Sequence, residues 1–93
     1  MDVLLEEVKT YLKITWDDNR TNAEITALIE QANYYLLNKT GVEEIDYTED
    51  LDAKSILKDY CRYVRNYSLE YFEENFASHV WSLILKYANQ ETT

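Results

Sequence analysis

A dense group of basic and aromatic side chains lies between residues 50 and 74 of the sequence. Lys54, Lys58 and Arg62 recur every four residues, so they form one basic stripe if the segment is helical, and Arg65 follows closely. Four tyrosines interleave with them, namely Tyr60, Tyr63, Tyr67 and Tyr71. A cationic surface can bind carboxylates of another protein, and an aromatic column can stack bases. This segment carries more apolar and aromatic side chains than the core of one small domain can bury. We interpret the excess as a contact surface for another protein.

The tyrosine column has two interpretations, and both can hold at once. Tyr60, Tyr67 and Tyr71 would face the core, whereas Tyr63 would project toward a partner subunit. Base stacking is the weaker hypothesis because eighteen acidic residues face nine basic ones, a formal net charge of −9. A chain this acidic is poorly suited to gripping phosphate through its overall field. The charge fits a soluble protein or one that meets a basic partner.

Several catalytic and metal sites are excluded by composition. His79 is the only histidine and Cys61 the only cysteine, so a histidine cluster, a paired-cysteine metal site and an internal disulfide cannot form. Gly41 is the only glycine, which rules out a glycine-rich phosphate loop. Residues 17–19 lack the ligand spacing of a calcium loop. We therefore expect no enzyme, no cofactor and no metal, and we expect Cys61 to be a small buried side chain.

The composition predicts an all-α fold in one domain over residues 1–93. One glycine and no proline argue for helices joined by short polar loops. Apolar spacing predicts a bundle of about four helices, over residues 2–13, 22–38, 50–74 and 77–87. The third would be one long central helix against which the others pack, and residues 89–93 would form a flexible tail.

Local signals refine these boundaries. Thr21 and Glu24 have the spacing of a capping box, which would open the second helix, and Gly41 is placed for a left-handed C-cap. Trp16 would fold back onto the core from the preceding loop. Trp81 would lie on the apolar face of the last helix.

An acidic connection precedes the long helix. Its acids have no base among them, and they are Glu43, Glu44, Asp46, Glu49, Asp50 and Asp52. The simpler interpretation is a solvated loop followed by acids at a helix N-terminus, where the helix dipole favours them. The alternative is an electrostatic contact with the basic stripe of a neighbouring copy.

The order of these elements resembles the head–tail connector family of tailed bacteriophages, also called DNA-packaging or head-completion proteins. The best markers are Tyr11-Leu-Lys-Ile14 after the first helix and the Thr40-Gly41 turn after the second. The acidic loop, the capped helix and the long helix containing residues 57–64 follow the same pattern. The resemblance covers about residues 4–88, and the segment after residue 65 is similar to versions from prophages of Gram-positive bacteria.

This resemblance implies a structural subunit at the head–tail junction of a virion, made in the host bacterial cytoplasm. Copies would form a ring, twelve-fold like the portal, that extends the DNA channel, retains packaged DNA and docks a stopper or tail-completion protein. DNA would pass through without sequence-specific binding, and no catalytic residue is implied.

We assign two sets of contact residues as hypotheses. The subunit-interface set is Glu43, Glu44, Asp46, Lys54, Lys58, Arg62, Tyr63 and Arg65. The set for the portal or tail, which follows from the resemblance, is Phe76, His79 and Trp81. A heterologous ring uses two different faces of each subunit, which an acidic and a basic face would supply.

Two alternative functions, an acidic inhibitor and a DNA-binding regulator, would each require features that can be checked in this sequence. A small acidic inhibitor or DNA-mimic protein of phage origin would spread carboxylates over one face, whereas here bases share the long helix. A DNA-binding regulator would need a basic recognition helix, which a pI of about 4.4 disfavours. The N-terminal segment has no basic leader and no apolar run long enough for a membrane span, so we expect no membrane association.

Overall fold

The computed structural model describes residues 2–91, and over that range the chain forms four α-helices and no strand. The helices are α1 (Asp2–Tyr11), α2 (Asn19–Thr40), α3 (Leu51–Arg65) and α4 (Phe72–Glu91), with a 3-10 turn at Leu69–Tyr71. The predicted all-α bundle of about four helices is confirmed. Residues 89–91 of the expected tail continue α4, and residues 92 and 93 lie outside the described part of the chain.

Helices α2 and α3 form the centre of the bundle, because each of them packs against every other helix. The amphipathic spacing of α3 places its apolar side chains in the core, while several of its polar side chains face α1. The core contains Val8, Ile14, Ile25, Ile29, Ala32, Leu36, Ile45, Ala53, Ile56, Leu57, Tyr60, Cys61, Phe72, Val80 and Leu83. The expected burial of Cys61 is confirmed.

The two ends of α2 show one correction and one confirmation. The predicted capping box at Thr21 is wrong, since Asp18 is the N-cap and its carboxylate accepts a hydrogen bond from the Thr21 amide at 2.7 Å. Two aspartates precede the helix, and either an aspartate or a threonine can cap it, so sequence alone chose the wrong one. Gly41 is the C-cap as predicted, with φ 77° and its amide bonded to the Leu37 carbonyl.

The predicted continuous helix over residues 50–74 is wrong, because α3 ends at Arg65. Tyr67 adopts a left-handed backbone conformation with φ 57°, and its amide donates to the Val64 carbonyl at 3.1 Å. The Ser68 amide donates to the Tyr63 carbonyl at 2.9 Å. This hydrogen-bond pair is a Schellman motif, which usually has glycine where Tyr67 lies. The break was expected later, around residues 75–78.

An aromatic cluster fixes where α4 begins. Phe72, the first residue of α4, is fully buried between rings of α2 and α3. Its ring centroid lies 5.1 Å from Tyr60 and 5.6 Å from Tyr63, both in edge-on geometry, and 4.9 Å from Phe76. Edge-on aromatic pairs stabilise beyond simple burial, so the cluster holds α4 against α3.

The Schellman motif generates a stability prediction. Tyr67→Gly is expected to raise the free energy of unfolding by about 0.5–1 kcal/mol, because glycine adopts the left-handed region without the steric cost of a β-carbon. The Tyr67 side chain is 92% exposed, so little packing is lost. Urea unfolding measures the difference. Tyr71→Gly is the matched control at an exposed tyrosine of negative φ, where glycine should destabilise. Equal effects of the two changes would contradict the prediction.

Candidate functional site

The basic stripe of α3 faces α1 within the same chain. Lys54 Nζ lies 2.9 Å from Glu7 Oε2, and Lys58 Nζ lies 3.9 Å from the same oxygen. The hydrogen bond from Lys54 is the main cause that holds the pKa of Glu7 below its usual range. Both lysine side chains are half-buried and share the single carboxylate of Glu7. A role for Lys54 and Lys58 at a subunit interface stays a prediction.

Arg62 continues the stripe but is also engaged inside the chain. It donates to Asp59 Oδ1 at 3.2 Å, and the Tyr11 hydroxyl donates to the same oxygen. Its guanidinium lies 5.0 Å from the Tyr63 ring centroid. Burial, followed by the hydrogen bond to Asp59, raises the pKa of Tyr11. Arg65 is half-buried, and it makes no ion pair with any residue between 2 and 91.

The acidic connection is exposed at one end of the bundle. Glu43 and Glu44 are solvent-exposed and have no ion-pair partner among residues 2–91. Asp46 is exposed too, and hydrogen bonds from the Thr48 hydroxyl and amide hold the pKa of its carboxyl below the usual range. Of these three acids, only Asp46 is engaged by side-chain hydrogen bonds within the described part of the chain, and a contact role for all three stays a prediction.

Asp50 belongs to the fold rather than to an open contact surface. It caps α3 by accepting from the Ala53 amide at 3.0 Å. It also accepts from Lys86 Nζ at 2.8 Å and from the Tyr87 hydroxyl, both on α4. Burial alone would raise the pKa of Asp50, but the hydrogen bonds from Lys86, Tyr87 and Ala53 outweigh it and hold the pKa below its usual range. One carboxylate thus joins the start of α3 to the end of α4.

The three residues assigned to the portal or tail differ in exposure. Phe76 is half-buried, and its ring packs on Phe72 and on Tyr63. His79 is exposed beside Phe76, with ring centroids 5.4 Å apart. Trp81 is 59% exposed, so its predicted place on the buried face is wrong. Near Trp81, the buried positions of α4 are Val80 and Leu83 instead.

The tyrosine column divides between core and surface. Tyr60 is buried as expected, but Tyr67 and Tyr71 are exposed, because the chain leaves α3 before reaching them. Tyr63 is half-buried against the aromatic cluster, and its hydroxyl accepts a hydrogen bond from the side-chain Nδ2 of Asn75 at 2.8 Å. Tyr34 on α2 is a further exposed aromatic residue.

Sequence reasoning missed a buried lysine in the last turn of α1. Lys9 is almost fully buried, and its ammonium donates to Asn22 Oδ1 at 2.8 Å and to Asp17 Oδ1 at 3.2 Å. This network ties α1 to the start of α2. No local feature of the sequence indicates that Lys9 is buried. Trp16 is exposed rather than folded onto the core, and its indole donates to the Thr21 hydroxyl.

Burial also determines the protonation state of the Cys61 thiol. Burial raises the pKa of the Cys61 thiol to about 12, so it stays protonated at neutral pH and is a poor nucleophile. Within residues 2–91 no three histidine, cysteine or acidic side chains are grouped to hold a metal ion. No helix in that part of the chain is long and apolar enough to cross a membrane.

The structure is a small all-α bundle that leaves several aromatic and acidic side chains exposed. Residues 2–90 match the family model of the phage gp6-like head-tail connector protein. Because the match spans nearly the whole chain, the chain belongs to this family, whose role is a structural one at the phage head–tail junction. No curated protein and no solved structure matched the chain in the corresponding comparisons.

The hydrogen bonds that Asp50 makes to α3 and α4 predict a pH-dependent free energy of unfolding. Asp50→Asn keeps a side chain that can cap α3 but loses the charged hydrogen bonds from α4, so it should lower the free energy of unfolding by about 1–3 kcal/mol at pH 7. The folded-state pKa lies below the usual 3.8, so this stabilisation is full at neutral pH. It is lost as the pH falls below about 4 and through the folded-state pKa.

Urea unfolding of both proteins at pH 7 and at about pH 3 measures this difference. Asp52→Asn is the matched control, because the Asp52 side chain is exposed and lies 3.9 Å from the same ammonium. The control should change stability by less than about 0.5 kcal/mol. A gap between wild type and Asp50→Asn that is constant over this pH range would contradict the prediction.

Proposed function

We propose that the chain is a connector subunit that assembles with copies of itself into a ring beneath the portal. In this proposal the ring extends the DNA channel, helps to retain packaged DNA and docks the tail or a stopper protein. The observation that carries the proposal is the family match over residues 2–90. The ring, its twelve-fold symmetry and the prophage origin are the finer parts of the proposal.

The shape of the subunit supports side-by-side assembly. Its principal extents are 44 × 27 × 17 Å, so it is an elongated and flat body whose broad faces follow the helices. Several large apolar side chains remain exposed on these faces, among them Val3, Tyr34, Leu51 and Trp81. Exposed aromatic and aliphatic residues of this kind are typical of protein–protein contacts.

The charge distribution supports a channel through which DNA slides. Seven of the nine cationic side chains lie 3.9 Å or less from a carboxylate of the same chain. Cations neutralised in this way offer little to phosphate, and the net charge of −9 opposes binding to it. A ring with weak affinity for DNA would not slow its passage.

The assigned contact residues remain proposals of unequal strength. Glu43 and Glu44 are exposed and make no ion pair within residues 2–91, so they support a subunit contact best. Asp46 is exposed but accepts hydrogen bonds from Thr48, and Lys54, Lys58, Arg62 and Tyr63 are also engaged inside the chain. Arg65 is the one residue of the basic stripe that makes no ion pair within residues 2–91. Of the residues assigned to the portal or tail, His79 and Trp81 are exposed, whereas the Phe76 ring packs within the aromatic cluster and is half-buried.

Deletion of the gene from its phage or prophage tests the proposed function. Electron microscopy of the lysate should show free tails beside heads that are emptied or leaking, because the head could neither hold its DNA nor receive a tail. Supplying the wild-type gene from a plasmid is the control and should restore joined particles. Normal joined particles without the gene would contradict the proposal, and would favour the small acidic inhibitor or DNA mimic instead.

A further inference from the structure

Helices α1 and α4 contact different parts of α3. Lys58 of α3 projects toward Glu7 of α1, whereas Tyr60 and Tyr63 pack against Phe72 of α4. Between residues 2 and 91, α1 and α4 do not contact each other. The outward faces of α1 and α4 are therefore two separate surfaces of the subunit.

The outward face of α4 is an apolar ridge. Its residues recur at helical spacing and are Ala77, Trp81, Leu85 and Ala88, which we call the α4 ridge. Trp81 and Leu85 are both exposed, while Val80 and Leu83 face the core. Glu74 lies on the same face, one turn before Ala77, and it has no ion-pair partner within residues 2–91.

The outward face of α1 forms a shallow, mostly apolar groove with α3. The residues that line it are Val3, Glu6, Glu7, Thr10, Tyr11 and Lys58, and we call it the α1 groove. Its volume is about 610 Å³, and Val3 at its end is 67% exposed. Lys13 follows just after α1, is exposed, and makes no ion pair within the described part of the chain.

Contacts with α3 show how the ridge and the groove align. Helix α1 runs parallel to α3, since Glu7 pairs with Lys54 and Tyr11 bonds Asp59. Helix α4 runs antiparallel to α3, because its last turns reach Asp50 and its first residue packs on Tyr63.

The two faces consequently match in length and charge. Val3 lies about level with Leu85, and the unpaired Lys13 lies about level with the unpaired Glu74. Each face spans about 15 Å along its helix. If neighbouring subunits stand side by side with parallel axes, apolar residues meet apolar residues and the free ammonium meets the free carboxylate.

We infer that the α4 ridge of one subunit packs into the α1 groove of a second copy, an inference that rests on the ring proposed above. The ridge and the groove are different surfaces of the subunit, so the contact is heterologous, and its repetition closes a ring where the rotation between neighbours permits it. Trp81 is the central anchor, a large side chain of the type that dominates such contacts. This assigns Trp81 to the contact between subunits, and leaves His79, on another side of α4, to the portal or tail.

Reversal of the two unpaired charges is the first test. Lys13→Glu and Glu74→Lys should each lower the yield of tail-joined particles about tenfold or more, because like charges then meet at every contact of the ring. The combined variant should recover to within about threefold of wild type, since it restores the attraction with reversed sign. Thermal unfolding of the purified variants checks that each one folds. A combined variant no better than the single ones would overturn the inference.

Disulfide trapping is the second test and needs no loss of function. A chain carrying Val3→Cys and Leu85→Cys is assembled into particles, mildly oxidised and run on a denaturing gel without reductant. The inference predicts a ladder of oligomers, because each subunit places one new thiol against each neighbour. The buried native Cys61 does not interfere. The matched control combines Val3→Cys with Tyr34→Cys, another exposed position, and should remain monomeric.

The trapping experiment separates two kinds of failure. Joined particles that contain the chain but give no ladder, or give one only with the control pair, would overturn the packing of the ridge into the groove. They would leave the connector function intact. Joined particles that contain none of this chain would contradict the proposed function itself, and with it the inference.

Discussion

The packing of Phe72 against the rings of α2 and α3 determines how the rest of the molecule is arranged. Phe72 is the first residue of α4, and its ring lies 5.7 Å from Tyr35 and 5.1 Å from Tyr60. This contact fixes α4 on one side of α3 and sets its rotation. With that rotation Lys86 reaches Asp50, while Trp81 turns away from the core. The exposed ridge is therefore a consequence of where the buried aromatic residue is placed.

The second constraint is the pairing of α1 with the cations of α3. Glu7 Oε2 lies 2.9 Å from Lys54 Nζ and 3.9 Å from Lys58 Nζ, so one carboxylate offsets part of the charge of the basic stripe inside the subunit. Burying these charges without a carboxylate would be costly, so the pairing favours α1 lying along α3. The outer surface that remains is acidic, with Glu43 and Glu44 exposed. A surface of this kind suits a protein that DNA must pass and not bind.

The sequence predicted features that depend on neighbouring residues and missed those that depend on distant ones. The helical spacing and Gly41 were sufficient for the all-α class and for the end of α2. The end of α3 was missed because Tyr67 adopts a conformation that usually requires glycine. The basic stripe was real, but its partner Glu7 lies 47 positions before Lys54, which no local pattern reveals. Trp81 is as apolar as a core residue, and only the position of α4 shows that it is exposed.

A cryo-electron microscopy map of the head–tail junction would show whether this chain forms the proposed ring. We expect a ring of this chain between the portal and the tail, with α4 of each subunit lying along α1 of the next and Trp81 in the contact. A junction in which the portal meets the tail with no density for this chain would contradict the proposed connector function.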